Sequence, residues 1–242
     1  MSDPGESKDP AELLDRIESF IPFTSFTLPE RATGSLAELL TWWWERGSDL
    51  RTKQLEITQG GFDLGVSSVN TAVDSGFTLL TFHNDTVVDP VVIRAIIGLL
   101  TRKDAWQVTH QGSGMSDEFV MKQIADTVDL MRANRDKRSE SRELAQLDST
   151  GTIDFIVGAL LTASARKTPV ILGTTCELAA ALIAHRLSMK ASGWWRNGST
   201  SPDRAVGQAV DRMGIAPGLP LGLSDDQGVG AEISLELLTT FT

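Results

Sequence analysis

Apolar positions along this chain fall into two kinds of segment, stretches of helical period and short unbroken runs. Leu13, Leu14, Ile17 and Phe20 recur at helical spacing and predict an amphipathic helix over 10–20. After the irregular "PFTSFTLPERATG", "SLAELLTWWWERG" predicts a second helix, with Ser35 and Glu38 as a capping box and Gly47 at its end. Residues 51–76 carry Leu64, Val66, Val69 and Val73 in a roughly helical pattern that stops at Ser75 and Gly76. "FTLLTF" (77–82) predicts a strand, apolar and bounded by turn formers. In "DPVVIRAIIGLL", Asp89 is placed to cap a helix whose first position is Pro90, where a missing N–H costs nothing. "AWQVTH" (105–110) predicts another strand, and "GSGMSDEFVMKQIADTVDLM" a glycine-rich turn into a long helix. The charge-dense "RANRDKRSESRELAQLDS" (132–149) mixes signs and reads as a solvated helix end and linker. Beyond it, "IDFIVGALLTASARK" predicts a helix, "PVILG" a strand, and "TTCELAAALIAHRLS" a helix with Thr174 and Glu177 as a capping box. A loop, the helix "SPDRAVGQAVDRMG" and the turn and helix of "SDDQGVGAEISLELL" complete the chain.

Strands alternating with helices of this length predict a single α/β domain, a Rossmann-like three-layer arrangement of a parallel sheet with helices on both faces. A helical N-terminal segment over 1–50 would precede an α/β unit over 51–242. At 242 residues, 41% of them hydrophobic, the chain can bury a substantial core. Residues 1–10 read as a frayed tail. The most apolar stretches are broken by Asp89, Pro90 and Arg94 and by Glu177, His185 and Arg186, short of the ~20 apolar residues a spanning helix needs. A net charge of -10 argues against nucleic acid and anionic membrane as partners. The lone Cys176 excludes an internal disulfide and a cysteine-based zinc site. Acidic residues near the start do not fit a secretory signal, so a cytoplasmic protein is expected.

In such folds ligands lie where strand ends meet helix N-termini, whose free N–H groups hold anions. Four loops qualify: "HNDTVVDP", "HQGSGMSDE", "GTTCE" and "SDDQGVGAE". Gly112, Ser113 and Gly114 form either a backbone nest for a phosphate, with Lys122 as a neutralising charge, or a plain tight turn. Asp117 and Glu118 weigh against an anion there. Thr174 and Thr175 can hydrogen-bond a ligand, although helix capping alone accounts for Thr174. His83 and His110 both end predicted strands, and no histidine pair has metal-ligand spacing. Trp42, Trp43, Trp44, Trp194 and Trp195 suit a core or a subunit contact better than base stacking. No catalytic triad, P-loop or dinucleotide fingerprint can be assembled.

Taken in order, several segments resemble the nicotinate-nucleotide:dimethylbenzimidazole phosphoribosyltransferase family. "DFIVGALLTASARKTPVILGTT" is similar to its D-x3-G-x2-L-x-A-A-x4-P-V-x-L-D-G, "STSPD" to its H-x-S-x-E, and "LSDDQGVGAEISLELL" to its L-G-E-G-T-G-A-x-L-A-x-P-L-L. Upstream, "GSLAELLTWW" is similar to its P-P-G-S-L-G-R-L-E-x-L-A, "VDSGFTLLTFHND" to its A-x-x-G-x-D-L-L region and "HQGSGMSDE" to its G-R-G-T-G-x-D-D. The resemblance implies transfer of phosphoribose from nicotinate mononucleotide to dimethylbenzimidazole, giving α-ribazole phosphate for the lower ligand of cobalamin. It implies no metal or other cofactor, and a homodimer.

The departures fall in the loops. Asn84 stands at an acid's place and the phosphate-loop glycines around it are missing, Gly173 replaces an Asp, and Ser199 replaces the His. Ser201 and Asp203 match the Ser and the acid. The family's general-base Glu is Gln227, followed by Gly228. An amide takes no proton at neutral pH, which leaves three readings: a divergent enzyme using Asp226 or Asp225 as base, a binding homologue without turnover, or a partner subunit of a full-length enzyme. The substrate contacts that the resemblance and the loops imply are His83, Asn84, Gly112, Ser113, Gly114, Lys122, Thr174, Thr175, Ser201 and Gly228, with Gln227 and Asp226 at the catalytic position.

Overall fold

The computed structural model describes residues 9–22, 27–30, 32–47, 49–57, 61–83, 86–110, 112, 114–223 and 228–241. Among these residues the sheet has four parallel strands in the order β1-β2-β3-β4: β1 Thr52–Glu56, β2 Leu79–His83, β3 Val170–Leu172 and β4 Trp195–Asn197. The helices are α1 Pro10–Asp15, α2 Gly34–Trp44, α3 Gly61–Asp74, α4 Pro90–Thr101, α5 Asp117–Ala133, α6 Thr152–Ala165, α7 Thr175–Leu187, α8 Arg204–Met213 and α9 Val229–Phe241.

Alternation along the strands sorts the helices into two outer layers. Leu80 and Phe82 of β2 and Val170 and Leu172 of β3 join one core with Val66 and Val69 of α3, Ile96 of α4, Phe155 of α6, Leu178 of α7 and Val206 of α8. The intervening Leu79 and Ile171 join a second core with Leu39, Leu40 and Trp43 of α2 and Ala231 and Leu238 of α9. The central strands β2 and β3 are therefore buried on both faces, as the expected three-layer α/β architecture requires. The tightest joint is between α3 and α6, where Gly65 lies against the Phe155 carbonyl and Gly158 against that of Phe62, leaving no room for a Cβ at either position.

Several sequence expectations need correction. "AWQVTH" is not a strand: Ala105–Gln107 is a single 3-10 turn closed by reciprocal bonds between Asp104 and Gln107. Both sides of β2 are taken by β1 and β3, so the segment does not pair with the strand it follows in sequence. Two strands were not anticipated. β1 lies inside 51–76, at the sheet edge, where its polar Thr, Lys and Gln leave only Leu55 buried and hide the pattern. β4 lies in the stretch read as a loop, and its three residues are all buried. The first helix ends at Asp15, short of Phe20. The capping box at Ser35 and Glu38 does not form, because α2 starts one residue earlier and its N-cap, Thr33, makes no side-chain bond. Residues 132–149 are no linker, since Ser141, Leu144 and Ala145 within them are buried. Asp89 and Pro90 start α4 as expected, with the Asp89 carboxylate accepting from the Val91 N–H at 2.8 Å.

Four of the six tryptophans belong to the interior. Trp42, Trp43, Trp194 and Trp195 are buried, and the Trp195 indole donates to Ser164 Oγ at 3.1 Å. Only Trp106 is well exposed among the described tryptophans, at 56%.

Candidate functional site

Three segments that are separate in sequence meet beyond the ends of β3 and β4. The first is Gly173–Thr175. Thr174 caps α7: its hydroxyl accepts from the Glu177 N–H at 3.2 Å and donates to Glu177 Oε1 at 3.0 Å, while Glu177 Oε2 accepts from the Gly173 N–H at 2.7 Å. Glu177 is 2% exposed, so this carboxylate locks the turn from strand to helix. The second is Asn197–Asp203. The Asn197 amide donates to the carbonyls of Ser199 and Pro217, and the Gly198 N–H donates to the Leu172 carbonyl at 2.8 Å. Asp203 then caps α8 by accepting from the Ala205 N–H at 2.8 Å, and its own N–H donates to Ser201 Oγ at 3.1 Å. The third is the start of α9, where Gly228 has φ +83 and its carbonyl accepts from the Ala231 N–H at 2.9 Å. A side chain would be strained at that angle.

Glycines allow the three to close on one another. A Cβ on Gly173 would stand 2.8 Å from Gly228 Cα, and one on Gly198 would stand 2.5 Å from Ala231 N. Between them lies a cavity of about 50 Å³ bordered by Thr174, Thr175, Ser199, Ser201, Asp203 and Gly230. That is room for a few waters or a phosphate-sized group. The N-termini of α7, α8 and α9 surround it, so partial positive charge faces the space. Asp203 occupies one of those termini with a charge of its own and opposes an anion on that side.

Of the expected contact residues, the structure brings Thr174, Thr175 and Ser201 together at this cavity and sets Gly228 beside it. His83 ends β2; the pairing of Leu80 with Val170 places it level with Gly173 one strand away. Gly112 and Gly114 precede α5, which runs alongside α4 with Arg94 bonded to Gln123 and Met131 against Gly98. Neither glycine borders the cavity. Lys122 is also away from it, exposed and paired with Asp126 at 2.7 Å, a bond that raises its pKa. Asn84, Ser113, Asp225, Asp226 and Gln227 lie outside the described residues. Sequence reading missed Asn197, which falls in the unrecognised β4, and saw Glu177 only as a cap although its carboxylate also holds Gly173. Among the described residues no group of three or more His, Cys, Asp or Glu is placed to hold a metal ion, and no helix is long and apolar enough to cross a membrane.

Comparison with known proteins shows the family to which this fold belongs. A family model described as phosphoribosyltransferase matches residues 53–241, leaving α1 and α2 outside the match. A nicotinate-nucleotide–dimethylbenzimidazole phosphoribosyltransferase of Streptomyces avermitilis is 30% identical over 185 residues, which are 76% of this chain and 49% of that protein. One of Chloroflexus aggregans is 25% identical over 182 residues, 75% of this chain and 52% of the relative. The crystal structure of the protein of that name from Thermus thermophilus superposes with a TM-score of 0.62 at 20% identity, covering 73% of this chain and 52% of that one. The chain thus spans about half the length of the curated relatives it matches.

Proposed function

The chain belongs to the phosphoribosyltransferase family whose model spans residues 53–241, and on that premise we propose that it transfers phosphoribose from nicotinate mononucleotide to a dimethylbenzimidazole-type base. The observation that carries this reading is the convergence of Gly173–Thr175, Ser199–Asp203 and Gly228–Gly230 around one cavity. These are the three segments whose order and residue types resemble the family's motifs, and they are distant in sequence and joined only by the fold. In this reading the phosphate lies against Thr174, Thr175 and the backbone at Gly228, Ser201 meets the ribose, and the bases extend toward His83; the resemblance adds Asn84, Gly112, Ser113 and Gly114 as contacts.

The chemistry is a displacement at C1′. One ring nitrogen of the acceptor attacks as the bond from C1′ to nicotinate breaks, nicotinate leaves with the bonding pair, and the acceptor's other ring nitrogen gives up its proton. A carboxylate positioned for that proton contributes roughly 10²–10⁴ in rate, about 3–5 kcal/mol at the transition state. Gln227 cannot take it, and the adjacent Asp226 is the nearest substitute in sequence. We therefore assign slow turnover to this chain; a homodimer without a cofactor, in the cytoplasm, is the accompanying expectation from the family resemblance. A second reading, binding without turnover, is favoured by Gln227, which leaves the proton acceptor's place to an amide.

Titration calorimetry with nicotinate mononucleotide, nicotinate and dimethylbenzimidazole tests the site. The mononucleotide is expected to bind, and Ser201→Ala to weaken it. If none of the three binds at millimolar concentration, the proposal fails.

A further inference from the structure

The segment 132–149, read from sequence as solvated, forms part of the wall of a second cavity, well apart from the one at Thr174. That cavity measures about 570 Å³ and lies between the last turns of α4 and α5 and the 3-10 turn at Ala105–Gln107. Leu99, Ile124, Val128 and Met131 give it an apolar floor. Arg102, Lys103, Arg132, Arg135 and Arg138 ring it, and the exposed Trp106 stands at its mouth. Arg186 at the end of α7 and Arg212 at the end of α8 lie close enough to act on Arg138 as well. Burial first, and then Arg102, Arg135, Arg186 and Arg212 in that order, hold the Arg138 pKa below the usual arginine range.

The protein as a whole carries 32 carboxylates against 22 Lys and Arg, so cations are scarce and clustering them is costly. Arg132 is paired with Asp129 at 3.0 Å, and Asp104 on the rim is tied into its own turn by Gln107. The ion pairs found among the described residues do not involve Arg102, Lys103, Arg135, Arg138, Arg186 or Arg212. Four helices end here, and a cation at each C-terminus would complement its dipole by about 0.3–1 kcal/mol. That accounts for one cation per helix. It does not account for Lys103 and Arg138 in addition, for the apolar floor, or for an exposed indole.

We propose that this cavity is a second ligand site, distinct from the one at Thr174, and that it takes an organic polyphosphate: a small molecule with at least two phosphate charges on an aromatic or apolar body. The volume falls in the range of small-molecule pockets. Guanidinium groups match phosphate oxygens in pairs, which suits several charges held on one rim. The indole of Trp106 offers a face for stacking beside the apolar floor. The two sites lie at opposite ends of α7, from Thr175 to Arg186, roughly 16 Å apart along the helix axis.

Calorimetry of the whole chain at near-physiological salt, with ATP and with inorganic tripolyphosphate as probes, tests the assignment. ATP is expected to bind at one saturable site and to weaken as salt is raised. Arg135→Ser combined with Arg138→Ser should cost at least about tenfold for both probes, and Trp106→Leu should weaken ATP while leaving tripolyphosphate unchanged. Both variants change exposed or half-exposed side chains, and circular dichroism checks their folding. No saturable ATP binding up to millimolar concentration, or binding that survives the double arginine change, overturns the site. Equal affinity for the two probes with no effect of Trp106→Leu overturns the organic body. Because neither probe is the mononucleotide, failure here leaves the Thr174 reading standing, and failure there leaves this one.

Discussion

Closure of the site depends on Gly173, and replacing it with alanine tests that closure quantitatively. The new Cβ would stand 2.8 Å from Gly228 Cα, 3.1 Å from Ala231 Cβ and 3.2 Å from the Gly228 carbonyl oxygen. Carbon atoms rest about 3.5–4.0 Å apart, so the start of α9 has to move outward by roughly 0.7–1.2 Å. The obstacles are backbone and a short side chain, which cannot rotate away. Overpacking of this kind costs about 1–3 kcal/mol. In a chain of this size that lowers the melting temperature by roughly 2–12 °C. Gly207 in α8 supplies the control. A Cβ there meets nothing within 4 Å, and alanine in a helix interior gains about 0.5–1 kcal/mol. Urea unfolding followed by circular dichroism should therefore move in opposite directions for the two variants, with mononucleotide affinity lost only in Gly173→Ala. A Gly173→Ala protein as stable as the native one, with unchanged affinity, refutes the packing of Gly228 on the end of β3.

Three further outcomes are expected. Gly158→Ala should destabilise by more than Gly173→Ala, because its Cβ would press on the Phe62 backbone within a tight crossing of two helices, and melting curves of the two proteins decide this. Arg196 is 1% exposed, with Nε and Nη2 lacking any partner among the described residues and its pKa pushed down by burial; Arg196→Met should raise stability by about 1–3 kcal/mol, and a loss would show that the charge is compensated. His185 has its pKa lowered by burial first and then by Arg212 and Arg186, so the unfolded chain binds more protons below about pH 6.5. The stability tied to this histidine is complete above that pH and is lost as pH falls through the lowered folded value. Denaturation midpoints measured from neutral pH down to about pH 5 should fall less steeply in His185→Gln, and an identical slope would contradict the assignment.

The fold was legible where the chain is apolar and regularly spaced. α4, α6, α7, β2 and β3 announce themselves through unbroken apolar runs, and Asp89 with Pro90 marks a helix start that the structure reproduces. β1 was hidden because an edge strand buries only Leu55 and needs no alternation. β4 was hidden because three residues are too few for a period, and its burial comes from neighbours distant in sequence. The meeting of Thr174, Ser201 and Gly230 was legible only through their resemblance to a family, since no local pattern ties them together. The basic cavity was invisible for the opposite reason: a net charge of -10 averages over the whole surface, whereas Arg102, Arg138, Arg186 and Arg212 are collected by four separate elements.

The central claim is that a phosphoribosyltransferase site persists in this chain with its proton acceptor altered. Its most direct test is production of α-ribazole phosphate from nicotinate mononucleotide and dimethylbenzimidazole, followed by mass spectrometry for native, Gln227→Glu and Asp226→Ala proteins. A slow native protein that Gln227→Glu accelerates by up to roughly 10²–10⁴ is the expected result, since the change restores a carboxylate of nearly the same shape. If Asp226 already serves, the native protein turns over, Asp226→Ala abolishes product, and Gln227→Glu adds little. No product from any of the three, with no binding of either substrate, would contradict the claim.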